Sequence, residues 1–181
     1  IPIMKKHFPS IIAILLCASG FASAAGNWPQ FRGPNCSGIS DTAKPPVKFG
    51  PTENMLWKIA VPGSPSSPCV WGKRLFLTTF ANGKLETRAY DRRDGKLLWT
   101  RVTPAEKLEE FHSTEGSPAA STPVTDGRRV VSYFGSCGLV AYDFNGKQPW
   151  RHELPVAQTA GGFGTGGSPM IVDDLVIVSR D

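Results

Sequence analysis

The chain repeats one sequence unit, and this repeat restricts the possible folds more than any other feature. Two copies, residues 89–99 and 141–150, share an Ala-Tyr-Asp triplet, a turn ending in Gly-Lys, and a closing tryptophan. A Ser-Pro or Thr-Pro dipeptide opens each unit at Pro68, Pro123 and Pro169, with separations of 55 and 46 residues. A period of about 40–50 residues is typical of repeats built from four β-strands.

Alternating apolar residues and turn residues predict four strands in the first complete unit. These strands cover residues 69–71, 74–80, 84–90 and 97–102, with an Asn82-Gly83 hairpin signal between the second and third. Glycine and proline total 19 and 16 of the 181 residues, which disfavours a helical bundle. A sheet with two apolar faces must stack on neighbouring sheets. We therefore predict an all-β fold, a β-propeller of four-stranded antiparallel blades.

The N-terminal residues have the features of a secretory signal peptide. Lys5 and Lys6 precede an apolar run over residues 11–18, and Ala22-Ser23-Ala24 supplies the small residues of a cleavage site. The apolar run is much shorter than the roughly 20 residues that span a membrane. We expect an exported protein, periplasmic or extracellular, without a transmembrane span. The cations of the remaining chain are scattered rather than clustered on one element, which argues against nucleic-acid binding.

The repeat unit resembles the pyrroloquinoline-quinone-like (PQQ-like) β-propeller repeat. The resemblance rests on Ser-Pro with a following Gly, and on Ala-x-Asp-x-x-x-Gly followed by Trp; residues 27–39 also resemble the start of secreted bacterial members. That family includes quinoprotein dehydrogenases and non-enzymatic relatives such as the Bam-complex lipoprotein. The resemblance implies eight blades when the ring is complete, and a last blade closed by strands from both chain ends. It also leads us to expect glycine where Cys36 stands.

The pattern and the resemblance together divide the chain into seven parts. On this interpretation the sequence is the N-terminal part of a longer propeller. The parts are a signal peptide (1–24), a lead-in (25–52), the closing strand of the last blade (53–62), blade 1 (63–103), an inserted loop (104–120) with one helical turn at 105–110, blade 2 (121–155), and a loop with the start of blade 3 (156–181).

The residues that recur in each unit are interpreted as structural. A tryptophan at the same place in every blade is expected to pack between blades and to donate its indole N–H to a neighbouring backbone. Aspartates at the turns are expected to cap them, because Asp bonds its own backbone two residues on. These predicted structural residues are Trp57, Trp99, Trp150, Asp91, Asp143, Gly95 and Gly146.

Three other features of the sequence give weaker indications of function. Gly162, Gly164 and Gly167 match a dinucleotide-binding spacing, but a strand rather than a helix follows them. His112 lacks the nucleophile elbow and acid of a catalytic triad. The three cysteines after the signal peptide leave two alternatives open, one disulfide with one free thiol or buried free thiols, and they are Cys36, Cys69 and Cys137.

Two functions remain open at the level of sequence. The first is a binding or scaffolding module for a protein or carbohydrate partner, with contacts at the channel mouth near Ser67, Ser121, Thr122 and Ser168. The second is a PQQ-dependent dehydrogenase that uses quinone and calcium. The resemblance implies adjacent cysteines over the quinone in that case, and no such pair occurs in this sequence. We assign no catalytic or metal-binding residue, and the cofactor and oligomeric state stay undetermined.

Overall fold

The computed structural model describes residues 26–180, so the predicted signal peptide at 1–24 lies outside the described residues. The described residues form antiparallel sheets and two short 3-10 turns, at Pro34–Cys36 and Ala160–Gly162. The strands are β1 (Ser64–Pro65), β2 (Cys69–Trp71), β3 (Arg74–Ala81), β4 (Lys84–Asp91), β5 (Leu97–Thr103), β6 (Val124–Thr125), β7 (Arg129–Phe134), β8 (Gly138–Asp143), β9 (Trp150–His152), β10 (Met170–Val172) and β11 (Leu175–Ile177).

The first blade follows the predicted strand order closely. Strands β1 and β2 both pair with β3, which continues to β4 and β5 through antiparallel ladders. Asn82 and Gly83 have φ values of 53° and 74°, the two positive values that a tight type I′ hairpin requires. The four predicted strands of this unit are confirmed to within one residue at each end.

The second blade repeats this arrangement, and a third begins. Strands β6–β9 form a four-stranded sheet in sequence order, and β10–β11 form an antiparallel hairpin. The stacked antiparallel sheets, one of five strands and one of four, confirm the all-β propeller-blade architecture. The helical turn predicted at 105–110 is wrong, because the described residues contain no helical turn there. The backbone N–H of Glu109 instead donates to Ser136 Oγ at 3.0 Å, a partner on the neighbouring blade.

Two apolar clusters hold the blades together. The first lies between the first and second sheets and includes Phe76, Trp99, Phe134 and Tyr142. The second lies between the second sheet and the β10–β11 hairpin, and it includes Tyr133 among its fully buried residues. Burial of each large apolar side chain contributes about 1.5–3 kcal/mol. The second blade is therefore covered on both faces by its neighbours.

The lead-in lies along the inner edge of the first two blades. Trp28 exchanges both backbone hydrogen bonds with Val70, at 2.8 and 2.7 Å, and Pro29 O accepts the N–H of Thr125 at 2.8 Å. An unpaired inner edge would otherwise expose backbone donors and acceptors. The lead-in thus joins blade 1 to blade 2 at their inner strands.

Residues 54–62 form no strand pairing in the described part of the chain. An isolated bridge joins Gly50 to Glu53, and Trp57 packs against the turn at Gly95. A β-strand needs a hydrogen-bonded neighbour, so the predicted closing strand at 53–62 stays a prediction.

The blades have two different ends. We call one the turn end; it carries the short connections at residues 72–73, 92–96, 126–128, 144–149 and 173–174. We call the other the loop end; it carries the tight hairpins at 82–83 and 135–137 and the long connections at 104–123 and 153–169. None of the helical segments within residues 26–180 has the length and apolar character needed to cross a membrane.

Candidate binding surface at the loop end

Tryptophan side chains make the same contact twice at the turn end. Trp57 Nε1 donates to Arg92 O at 3.0 Å, and Trp99 Nε1 donates to Phe144 O at 3.0 Å. Each indole ring covers the turn glycine that follows its acceptor. A Cβ added to Gly95 would lie 2.7 Å from the Trp57 ring, and one added to Gly146 would lie 3.0 Å from the Trp99 ring. Glycine is therefore required in these turns for close packing.

The two repeated aspartates lie in the same turns. Asp91 Oδ1 accepts the backbone N–H of Arg93 at 2.9 Å. Asp143 Oδ1 accepts the N–H groups of Asn145 and Lys147, both at 2.9 Å. Hydrogen bonds from Arg93 also hold the pKa of Asp91 well below its usual range. These aspartates lie apart from the loop end and bond to their own turns.

Trp150 packs against the second apolar cluster beside the β10–β11 hairpin. Sequence reasoning missed a further tryptophan contact, because Trp71 lies outside the repeated Asp-Gly-Trp pattern. Its indole covers Gly127, where an added Cβ would lie 2.5 Å from the ring and φ is +85°. A glycine in the equivalent turn of the next blade is the one sequence signal that could have indicated this contact.

The loop end is braced by side chains from the inserted loop. Glu109 is 2% exposed and accepts a short hydrogen bond from Thr165 Oγ1, on the loop that leads to β10. Burial raises the pKa of Glu109, and its hydrogen bonds with Thr165 oppose that rise. Gly116 and Phe163 join the two long loops directly, since an added Cβ at Gly116 would lie 2.1 Å from Phe163 O. The long connections thus form one packed surface.

Three of the four predicted channel-mouth residues connect the second and third units. Ser121 is 1% exposed and donates its hydroxyl to Gly167 O at 2.6 Å. Ser168 Oγ accepts the backbone N–H of Thr122 at 3.0 Å. Ser67, by contrast, is exposed at the start of the first blade. The structure therefore places Ser121 and Thr122 inside the interface between units, and it leaves Ser67 accessible.

The remaining sequence motifs lie in the long loops. Gly162 belongs to the 3-10 turn, and no helix follows the glycine run in the described residues. His112 Nδ1 lies 3.1 Å from Thr114 Oγ1, and its ring packs on Phe163 with centroids 5.9 Å apart. Among the hydrogen bonds described for the His112 side chain, none has a carboxylate as the partner.

The three described cysteines are free thiols. Burial raises the pKa of Cys69, and it raises the pKa of Cys137 to about 11. Cys36 has a φ of 54°, a left-handed conformation that favours glycine, and glycine is the residue expected there from the family resemblance. Across residues 26–180, no group of three or more His, Cys, Asp or Glu side chains is arranged to hold a metal ion.

Comparison with known structures supports the fold. The crystal structure of BamB from Moraxella catarrhalis matches with a TM-score of 0.54 and 18% sequence identity, over 71% of this chain and 38% of that chain. This chain therefore spans less than half the length of that structure, and a likeness at this identity shows the fold alone.

A search among curated proteins found no match. The family model described as outer membrane protein assembly factor BamB, however, matches residues 50–180. That range is well over half of the sequence, so the chain belongs to this family of PQQ-like repeat β-propellers.

Proposed function

We propose that the protein is an exported binding module that uses the loop end of its propeller to hold a partner protein. The long connections at 104–123 and 153–169 carry this proposal, because they are packed on each other while the opposite end has short turns. Loops held by a rigid scaffold are the usual place for binding residues. Membership of a family described as outer membrane protein assembly factor BamB favours a protein as the partner.

The exposed side chains of the loop end are the proposed contact residues. They include Glu110, His112, Gln158 and Phe163, and Phe163 is 49% exposed. Ser67 is a further proposed contact, since it is accessible on the connection that precedes β2. A mixed surface of this kind, with an aromatic group among polar side chains, is typical of non-obligate protein interfaces.

Site-specific photo-crosslinking in the native host tests this proposal. A photoreactive residue at Glu110 or Gln158 reports on the loop end, and one at Lys73 or Asn145 reports on the turn end; all four positions are exposed. We expect both loop-end positions to capture the same protein, and neither turn-end position to do so. Equal capture from both ends, or capture from the turn end alone, would refute the proposed face. The quinone-dependent alternative stays a prediction, to be tested by PQQ and calcium binding.

A further inference from the structure

Glu109, on the inserted loop, joins three separate segments at the loop end. Its backbone N–H donates to Ser136 Oγ at 3.0 Å, on the hairpin between β7 and β8. Its carboxylate oxygen Oε2 accepts a hydrogen bond from the Thr165 hydroxyl, on the connection at 153–169. A Cβ added to Gly135 would collide with both Glu109 Oε2 and Thr165 Oγ1, so the hairpin backbone lies directly against this hydrogen bond. One residue therefore ties the inserted loop to the second blade and to the other long loop.

The Glu109 carboxylate is buried without an opposite charge in contact. The residue is 2% exposed, and none of the salt bridges among the described residues includes it. Arg180 acts on it only through its charge, while Arg180 Nη2 donates to Pro155 O. An ionised carboxylate in this setting loses solvation that one hydrogen bond from Thr165 restores only in part. The closed arrangement of the two loops therefore favours the protonated acid.

The titratable groups on the neighbouring elements do not reverse this preference. Tyr133 on β7 and Cys137 on the β7–β8 hairpin both interact with Glu109, and burial raises the pKa of each. Both side chains are therefore neutral over the pH range in which a carboxyl group titrates. Burial also raises the pKa of Glu109, and the hydrogen bonds from Thr165 and the charge of Arg180 offset only part of that rise.

Two exposed titratable groups of the inserted loop also lie against the other long loop. The ring of His112 packs on Phe163, with centroids 5.9 Å apart. A Cβ added to Gly162 would lie 2.9 Å from Glu110 Oε1. Because both side chains are exposed, water solvates their charged forms whether the loops are closed or open. They are therefore suitable controls for the titration of Glu109.

We propose that Glu109 is a proton-controlled latch between the two long loops of the loop end. The neutral acid keeps the inserted loop closed on Thr165 and on the hairpin. Ionisation favours local opening, because water can solvate the carboxylate only when the loops separate. The latch belongs to the free protein. Its use in controlling a partner rests on the proposed function, since opening changes the surface that the partner would contact.

Hydrogen exchange of the free protein from pH 4 to pH 8 tests the latch, after correction for the intrinsic exchange rate at each pH. The reporters are the amides of residues 104–117 and 158–164. Opening releases the Glu109 carboxyl to an ordinary pKa of about 4.3. Protection of these amides should therefore fall, by up to about tenfold per pH unit, between that value and the raised pKa of the closed state. It should stay below the protection of the β8 amides throughout, which identifies local opening rather than global unfolding.

Glu109→Gln removes the titrating group and keeps an acceptor for Thr165. We expect protection of the loop amides in this variant to be independent of pH, and to exceed that of the wild type at least threefold near pH 7. Glu110→Gln and His112→Gln are the matched controls, because each removes an exposed titratable group from the same loop. Both controls should keep the wild-type dependence on pH.

Three results would overturn the latch: wild-type loop protection that is flat or rises with pH, a Glu109→Gln variant that keeps the wild-type slope, or a slope that disappears in His112→Gln. The wild-type profile decides alone if Glu109→Gln does not fold. The photo-crosslinking experiment fails independently of this one. Exchange that follows the predicted profile, together with no capture from the loop end, would refute the proposed function and support the latch.

Discussion

The two ends of the blades are built from different kinds of contact. At the turn end, an indole N–H binds a turn carbonyl and covers a turn glycine, and this arrangement occurs at both Trp57 and Trp99. At the loop end, the contacts of Glu109 and Ser121 occur once each and involve buried polar groups. Repeated contacts hold blades in register, whereas single contacts define one local surface. The difference supports the proposal that the turn end maintains the fold while the loop end binds a partner.

The largest predicted effect tests the turn end. Trp99→Ala should lower the free energy of unfolding by about 3–5 kcal/mol, because it opens a cavity in the core between the blades. The ring is 8% exposed and lies against Phe76 and Tyr142, with centroids 6.0 and 5.7 Å away. Urea denaturation measures the change. Trp57→Ala is the control, and loss of its partly buried ring should cost about 1–2 kcal/mol; equal losses would contradict the packing described for Trp99.

A second prediction isolates the contact between indole and glycine. Gly95 and Gly83 both have φ of +74°, but an added Cβ at Gly95 would strike Trp57, and one at Gly83 meets nothing within 4 Å. Gly83→Ala should cost about 1–2 kcal/mol from left-handed strain alone. Gly95→Ala should cost about 2–4 kcal/mol, because overpacking is added to that strain. Equilibrium unfolding compares the two variants, and equal losses would show that Trp57 does not require glycine at this turn.

The third prediction compares how Asp91 at the turn end and Glu109 at the loop end change the stability of the protein with pH. The pKa of Asp91 is lowered in the folded protein, so its contribution is present above the unfolded value of about 3.9 and is lost as pH falls further. The pKa of Glu109 is raised. Its effect is opposite: stability is greatest below the unfolded value of about 4.3 and decreases as pH rises from there through the folded value.

Unfolding free energies measured from pH 3 to pH 8 check these opposite signs. Asp91→Asn should remove part of the loss of stability on the acid side. Glu109→Gln should keep an acceptor for Thr165 and increase stability near neutral pH, relative to the wild type. Glu110→Gln, which changes the exposed neighbour, is the control for loss of a charge. A parallel pH dependence for the Asp91 and Glu109 variants would contradict the assignment of the two environments.

The smallest predicted effect concerns the lead-in. Cys36→Gly should stabilise the protein by about 0.5–1 kcal/mol, because a φ of 54° strains a cysteine backbone and suits glycine. The gain is reduced by the loss of a hydrogen bond from Gln30 Nε2 to Cys36 Sγ, at 3.3 Å. Thermal unfolding measures the change, and Cys36→Ala is the control that removes sulfur and keeps the strain. A stabilising Cys36→Ala would assign the effect to the thiol rather than to the backbone.

The repeated part of this architecture could be predicted from sequence, because its signals are local. Alternation and the Asn82-Gly83 pair specify the first hairpin, and the family pattern specifies the turn tryptophans. The burial of Glu109 had no such signal, since its neighbour Glu110 is chemically identical and exposed. Likewise, the sequence pattern predicts channel-mouth contacts at Ser121 and Thr122, whereas in the fold these residues hydrogen-bond to Gly167 and Ser168 across the interface between units. Contacts that occur once leave no periodic trace in a sequence.

Native-state hydrogen exchange of the free protein tests most directly whether the two ends differ in their roles. The backbone amides of Asp91, Gly95, Asp143 and Gly146 are hydrogen-bonded within the turns that the blades share. We expect these amides to exchange through global unfolding, with the highest protection in the molecule. The amides of residues 104–117 and 158–164 should exchange faster, through local opening of the loop end. Equal protection of both regions, or faster exchange at the turn end, would contradict the division between a fold-maintaining turn end and the proposed binding surface at the loop end.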